Sequence, residues 1–265
     1  MALAELENNN TAEQALPAAP ENTSEIISEV TEVEDDGSMS LTAHLTELRS
    51  RLIKCLIAVA LGSCVGYYFI EPIMHYMTMP VGKLYYMQPS EAFFTYLKVA
   101  VFVGFLLALP VVFFHVWRFF LPALTVRERM VLGLIVPSSV ILFFIGLTFS
   151  FCLVLPTAVK FFMGFGGTDL EAMFSVDKYF DFVLTFVLPF GFVFELPLII
   201  TILGKMGLVS SAFLKKHLRI VIFLSFVVGA IITPTPDVFT QSMIALPMFL
   251  LYGVGYLIVR YILHK

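Results

Sequence analysis

From Leu52 onward the chain alternates long apolar runs with short polar connections. Crossing about 30 Å of hydrocarbon takes about 20 helical residues at about 1.5 Å each. Four runs meet that length: 52–70, about 97–116, 131–155 and about 182–203, the last two broken by Pro137, Pro189 and Pro197. Two further runs are shorter. Residues 220–232 make about 20 Å of helix, and residues 243–259 follow the polar Thr240, Gln241 and Ser242. The shorter of these either dips into the membrane and returns or crosses where the bilayer is thinned, and its length alone leaves both open. Ser90, after Pro89, is the predicted N-cap of the second span. The pattern predicts an all-α polytopic membrane protein with six transmembrane helices.

The basic residues give the predicted orientation. Arg49, Arg51 and Lys54, then Arg118, Arg127 and Arg129, then Lys205, Lys215, Lys216 and Arg219, then Arg260 and Lys265 fall on alternate connections. The other connections hold Lys83, Lys98, Lys160 and Lys178. Lys and Arg in short loops are retained on the cytoplasmic side, so both termini are expected there, which requires an even number of crossings. The outer connections, 71–96 and 156–181, are rich in Met, Tyr and Phe, as expected of segments lying at a membrane interface.

Composition sharpens this reading. Hydrophobic residues make up 59% of the 265, charged ones 14%, and mean hydropathy is +0.91, which excludes a water-soluble globular enzyme and makes lipid the main solvent. The net charge of -4 hides a division along the chain. Ten of the twenty acidic residues precede Gly37, in a stretch with no Lys, Arg or aromatic residue; the remainder carries sixteen basic against ten acidic side chains, a formal charge of +6. Residues 1–38 are therefore expected to be a disordered acidic cytoplasmic tail and 39–265 a single membrane domain. No basic region precedes the first apolar run, so no secretory signal is expected. Cys55, Cys64 and Cys152 lie inside apolar runs, with neither a disulfide framework nor zinc-site spacing.

Enzymatic machinery is not visible. The chain has no HExxH, GxSxG, Walker loop or GxGxxG, its five His do not cluster, and Ser210 and Ser211 have no neighbouring base. No catalytic residue, metal or cofactor is expected. Four carboxylates stand out instead. Glu195, in FELP, falls near the middle of the fourth span, where an ionised side chain costs about 2.5–3.5 kcal/mol. It either caps backbone groups freed by Pro197 or forms a proton-linked or partner-binding site. Glu47, in HLTELRSRL, and Glu128, in RERM, stand at the cytoplasmic entrances of the first and third spans. Local roles suffice for both, because Glu47 lies one turn before Arg51 and helix N-termini favour carboxylates. Two carboxylates on one face would equally receive a ligand carrying guanidinium groups. Asp237, in TPTPD, reads as the cap of the sixth helix, with Pro234 and Pro236 fixing the outer turn.

Six stretches taken together carry more than any one alone: HLTELRSRL (44–52), EAFFTYLK (91–98), LALPVVFFHVWRFFLPALTVRERM (107–130), GLTFSFCLVLPTAVKFF (146–162), GFVFELP (191–197) and TPTPDVFTQSMIALPMFLLY (233–252). In this order and spacing the chain, over about 39–260, resembles the TatC family, the core multispanning subunit of the twin-arginine protein translocase. The resemblance implies a glove-shaped, concave arrangement of six helices with short fifth and sixth members, which favours thinning over re-entry. It implies that Glu47 and Glu128 correspond to the carboxylates that recognise twin-arginine signal peptides, that Arg49, Phe119 and Pro122 shape that site, and that Glu195 matches an intramembrane glutamate on the concave face. Implied partners are the signal peptides of folded cargo, small single-span subunits of TatA and TatB type, further copies of the chain and the lipid bilayer, with no nucleic acid. The implied location is the bacterial cytoplasmic membrane, with the proton-motive force as driving energy. In one departure, Gly253 stands where family members often carry Glu. The alternative is a proton-coupled small-solute transporter with Glu195 as carrier and the proline-broken helix as gate, against which the lack of a visible internal repeat counts.

Overall fold

The computed structural model describes residues 41–120, 129–166, 173–233 and 237–264. The acidic stretch 1–38, Pro122 and Glu128 lie outside the described residues. The chain divides into two units between Glu47 and Leu48; the packing described below is that of the second.

The described residues are almost entirely helical. α1 (Leu41–Tyr68) meets α2 (Ile70–Thr78) at a 77° bend. α3 (Pro89–Phe120) follows, then α4 (Arg129–Phe149), which passes through a π-turn (Ser150–Val154) into α5 (Leu155–Met163). α6 (Val176–Phe194) and α7 (Leu196–Lys205) meet at Glu195, and α8 (Ser211–Lys216), α9 (Leu218–Ile232) and α10 (Val238–Tyr261) complete the order. Four helical segments are long and apolar enough to cross a membrane, namely Pro89–Phe119, Gly133–Met163, Val176–Lys205 and Val238–Tyr261; the bent α1–α2 pair makes a fifth if taken as one span, and α9 is shorter.

Two boundaries differ from the sequence expectation for physical reasons. α3 starts at Pro89, so Ser90 lies inside its first turn instead of capping it. Proline is preorganised for the first helical position, the Glu91 N–H donates to Gln88 O at 3.1 Å, and Glu91 reaches back so that its Oε2 accepts from the Met87 N–H at 2.5 Å, ahead of the helix. The third span runs on past Leu155 to Met163. Pro156 falls at the start of α5, and the π-turn before it takes up the carbonyl spacing that a proline ring would disturb in a regular helix.

The main core lies between α3, α4 and α6. Phe143 is completely buried at its centre and meets Phe105, Phe113 and Phe192 edge-on, the favoured geometry for aromatic pairs. Polar groups fasten one end. The Lys98 ammonium donates to Asp177 Oδ1 and Asp181 Oδ1, each at 2.7 Å, and the Tyr179 hydroxyl donates to the Met77 carbonyl at 2.8 Å. A short bridge joins Tyr85 to Ser175, with the Tyr85 N–H donating to Phe174 O and the Val176 N–H to Tyr85 O, both at 2.9 Å. Asp237 caps α10, its Oδ1 accepting from the Thr240 N–H at 2.8 Å.

α1 meets α3 where both are small. A Cβ added to Gly62 would lie 2.6 Å from the Gly104 carbonyl oxygen, and one added to Gly66 would lie 3.0 Å from that of Ala100. Such close backbone approach is the usual means of packing helices in lipid, where hydrophobicity alone gives no attraction between them. Gly104→Val is expected to force the helices apart and lower stability by about 1–3 kcal/mol, read as a lower midpoint of thermal unfolding in detergent. An unchanged midpoint would mean that the crossing contributes little.

Candidate functional site

Away from the Gly62 crossing, Leu52, Cys55, Leu56 and Val59 of α1 face α3 and α6 across a cavity of about 1030 Å³. Its walls are apolar except at one end, where Lys98 and Asp177 border it. A second cavity of about 510 Å³ is enclosed by the Phe105–Trp117 stretch of α3 and by residues of α6 and α7. Phe105 and Val112 line both, so the two adjoin.

Glu195 is the one acidic residue lining the second cavity. The sequence places it at the α6–α7 break, where Pro197 is the second residue of α7. At that position the missing proline N–H costs no intrahelical bond. The backbone at the break is satisfied by backbone: the Glu195 N–H donates to Phe192 O at 3.1 Å and its carbonyl accepts from the Ile199 N–H at 2.9 Å. The carboxyl makes no capping hydrogen bond there. It is 4% exposed, and among the described residues neither carboxyl oxygen has a hydrogen bond of good geometry. Ser139 of α4 stands beside it; its hydroxyl accepts from Trp117 Nε1 at 2.8 Å and keeps its own O–H to donate. Buried acceptors short of donors are costly, and one neighbouring hydroxyl cannot serve both oxygens of this carboxyl, so it is chemically suited to a further polar group brought in from outside the chain.

The other predicted site residues are dispersed. Glu47, in the early turns of α1, is half-buried, while Arg49 beside it is exposed and Arg51 lies one turn further along. Phe119 is half-buried in the last turn of α3. Pro122 and Glu128 fall outside the described residues, so only one of the two predicted guanidinium-binding carboxylates has a described position. Gly253 faces open space on α10, with no atom within 4 Å of an added Cβ, so a longer side chain has room there. Cys55, Cys64 and Cys152 are free thiols, and among the described residues no group of three or more His, Cys, Asp or Glu is placed to hold a metal.

Sequence reasoning did not single out the Trp117–Ser139 pair or the Lys98–Asp177–Asp181 cluster. Each had a faint signal: Trp117 is the only tryptophan, Lys98 opens an apolar run, and Asp177 and Asp181 are spaced one helical turn apart.

Comparison with known proteins converges on one family. Residues 43–247 match the Sec-independent protein translocase protein (TatC) family. TatC of Synechocystis sp. is 41% identical over 228 residues, covering 84% of this chain and 90% of that protein. TatC of Carboxydothermus hydrogenoformans is 36% identical over 235 residues, covering 87% and 97%, and chloroplastic TATC of Pisum sativum is 36% identical over 223 residues, covering 82% and 63%. A crystal structure of the twin arginine translocase receptor TatC superposes with a TM-score of 0.72 at 37% identity, covering 82% of this chain and 98% of that one. The chain belongs to the TatC family and is a multi-pass membrane component of the Sec-independent protein translocase rather than an enzyme.

Proposed function

We propose that this chain is the receptor subunit that binds twin-arginine signal peptides of folded precursors at the cytoplasmic face of a bacterial inner membrane, with both of its termini on that face. Glu47 and Glu128 hold the two guanidinium groups, because a planar fork pairs bidentately with a carboxylate, while Arg49, Phe119 and Pro122 shape the surroundings. The apolar part of the signal then enters the cavity between α1, α3 and α6, whose volume of about 1030 Å³ suits several apolar side chains.

The observation that carries this reading furthest is the Glu195 carboxyl, buried in the adjoining cavity with no hydrogen bond of good geometry among the described residues. A polar side chain on the single span of a TatA- or TatB-type subunit would supply the missing hydrogen bond inside the bilayer. Too few spans are present to enclose a folded protein, so transport requires further copies of the chain and of these partners. The proton-motive force drives the movement, in keeping with the absence of a nucleotide-binding loop from the sequence.

Binding of a fluorescent twin-arginine signal peptide to the detergent-purified chain tests the proposal. A peptide with Lys–Lys in place of Arg–Arg is expected to bind about tenfold or more weakly, since an ammonium is a point charge without the fork geometry. Equal affinity for the two peptides would overturn the fork-pairing site.

A further inference from the structure

The inner ends of α7, α9 and α10 gather around the short helix α8. Leu214, the buried residue of α8, packs in one apolar cluster with Ile200 of α7 and with Tyr252 and Val259 of α10. The Tyr252 hydroxyl donates to the Leu214 carbonyl at 2.9 Å, and Ser210 Oγ accepts from the Phe213 N–H at 3.2 Å to cap α8. A Cβ on Gly204 would meet Val259 at 2.8 Å and Leu263 at 3.3 Å, so the ends of α7 and α10 abut. Segment 205–219 is thus a fixed platform, not a trailing loop.

Two kinds of side chain project from it. Lys205, Lys215, Lys216 and Arg219 are exposed, and Arg260 joins them from α10. The Arg260 guanidinium is oriented by a hydrogen bond to the Tyr256 hydroxyl at 2.8 Å and by the Tyr261 ring, 5.3 Å from its centroid. Residues 196–236 contain no Asp or Glu, and neither do 238–265, so Lys215, Lys216, Arg219 and Arg260 lie in segments that carry no carboxylate of their own. Interleaved with them are exposed apolar residues: Met206, Leu208, Phe213 and Ile220, the last two 51% and 57% exposed. α7, α9 and α10 continue from the platform as apolar helices, which places it at headgroup depth if they lie in the bilayer.

We propose that this platform is a binding site for an anionic phospholipid, with Lys215, Lys216 and Arg219 on the headgroup phosphate and Phe213 and Leu208 against the glycerol and upper acyl chain. Charge and apolarity are both needed to choose this occupant. A free phosphate or an acidic peptide would use the cations but would leave Phe213, Leu208 and Ile220 in water, whereas a zwitterionic lipid would cover the apolar residues without matching the clustered positive charge.

The delipidated, detergent-purified chain, titrated with short-chain phosphatidylglycerol, phosphatidylcholine or inorganic phosphate and followed by native mass spectrometry and thermal unfolding, decides the matter. Phosphatidylglycerol is expected to bind and raise the unfolding midpoint, with the other two weaker. Lys215→Gln, Lys216→Gln and Arg219→Gln should each weaken phosphatidylglycerol about fivefold, the factor for one basic residue at a charged membrane surface, and Phe213→Ser should weaken the lipid without changing the response to phosphate. Lys83→Gln and Lys178→Gln, at the opposite end of the helices, should have no effect. All five cations are exposed, so a lipid-free unfolding midpoint equal to the parent's verifies that each variant is folded. Equal binding of phosphatidylcholine, protection by phosphate as strong as by lipid, or undiminished phosphatidylglycerol binding in the lysine and arginine variants would each overturn the site.

Discussion

Replacing Glu128 by Gln is expected to weaken binding of a twin-arginine signal peptide by about 10- to 100-fold, and Glu47→Gln by a similar factor. A hydrogen bond to a charged group contributes about 1.5–3 kcal/mol, and each 1.4 kcal/mol is about tenfold in affinity. Gln keeps the size and one acceptor oxygen but loses the charge and the second arm of the fork. If each carboxylate holds its own guanidinium, the two losses should add in the double variant, and rising salt should weaken the parent's binding more than the double variant's. Peptide fluorescence anisotropy measures all three effects, with elution volume as the check on folding. Undiminished binding in Glu47→Gln would leave that residue the local role its spacing to Arg51 already allows.

The second large effect has opposite signs in two assays. Glu195→Leu should abolish transport of a folded precursor into vesicles and crosslinking to a single-span partner, yet raise the chain's own unfolding midpoint. The carboxyl is 4% exposed and has no good hydrogen bond among the described residues, and removing such an unsatisfied group relieves a cost of about 1–3 kcal/mol. Leucine fills nearly the same volume, so the cavity penalty that Ala would add is avoided. Glu195→Gln, which keeps an acceptor and adds a donor, should preserve part of the crosslinking. Signal-peptide affinity should be untouched in both variants. A variant that loses initial signal binding would move Glu195 from the partner contact to the signal site.

How much of this could be read from the chain depended on what each feature rests on. Long apolar helices were legible because crossing hydrocarbon imposes a length and a composition that any sequence must show. Their ends were less so: α3 starts at Pro89 and α5 runs to Met163, since helices continue into the interface, where the apolar signal has already faded. Glu195 announced itself as an ionisable residue in an apolar run, but its unused carboxyl could not be foreseen, because the alternative cap was stereochemically sound. The Trp117–Ser139 bond joins residues 22 apart and the Lys98–Asp177 bond residues 79 apart; contacts of that range belong to the tertiary fold and leave no local period. The pairing of Glu47 with Glu128 came from family resemblance alone, since nothing in their local spacing distinguishes a receptor from two ordinary helix ends.

The crossing of α1 over α3 has a mechanical side. With its backbone close against Gly104 and a cavity beside Leu52–Val59, α1 has the layout of a lever with its fulcrum at Gly62. Leu48 lies 14 residues before the fulcrum, about 21 Å along the helix, so a tilt of about 10° carries it through about 4 Å. A guest wedged under the arm would be felt at its tip as displacement, with the glycine contact turning in place.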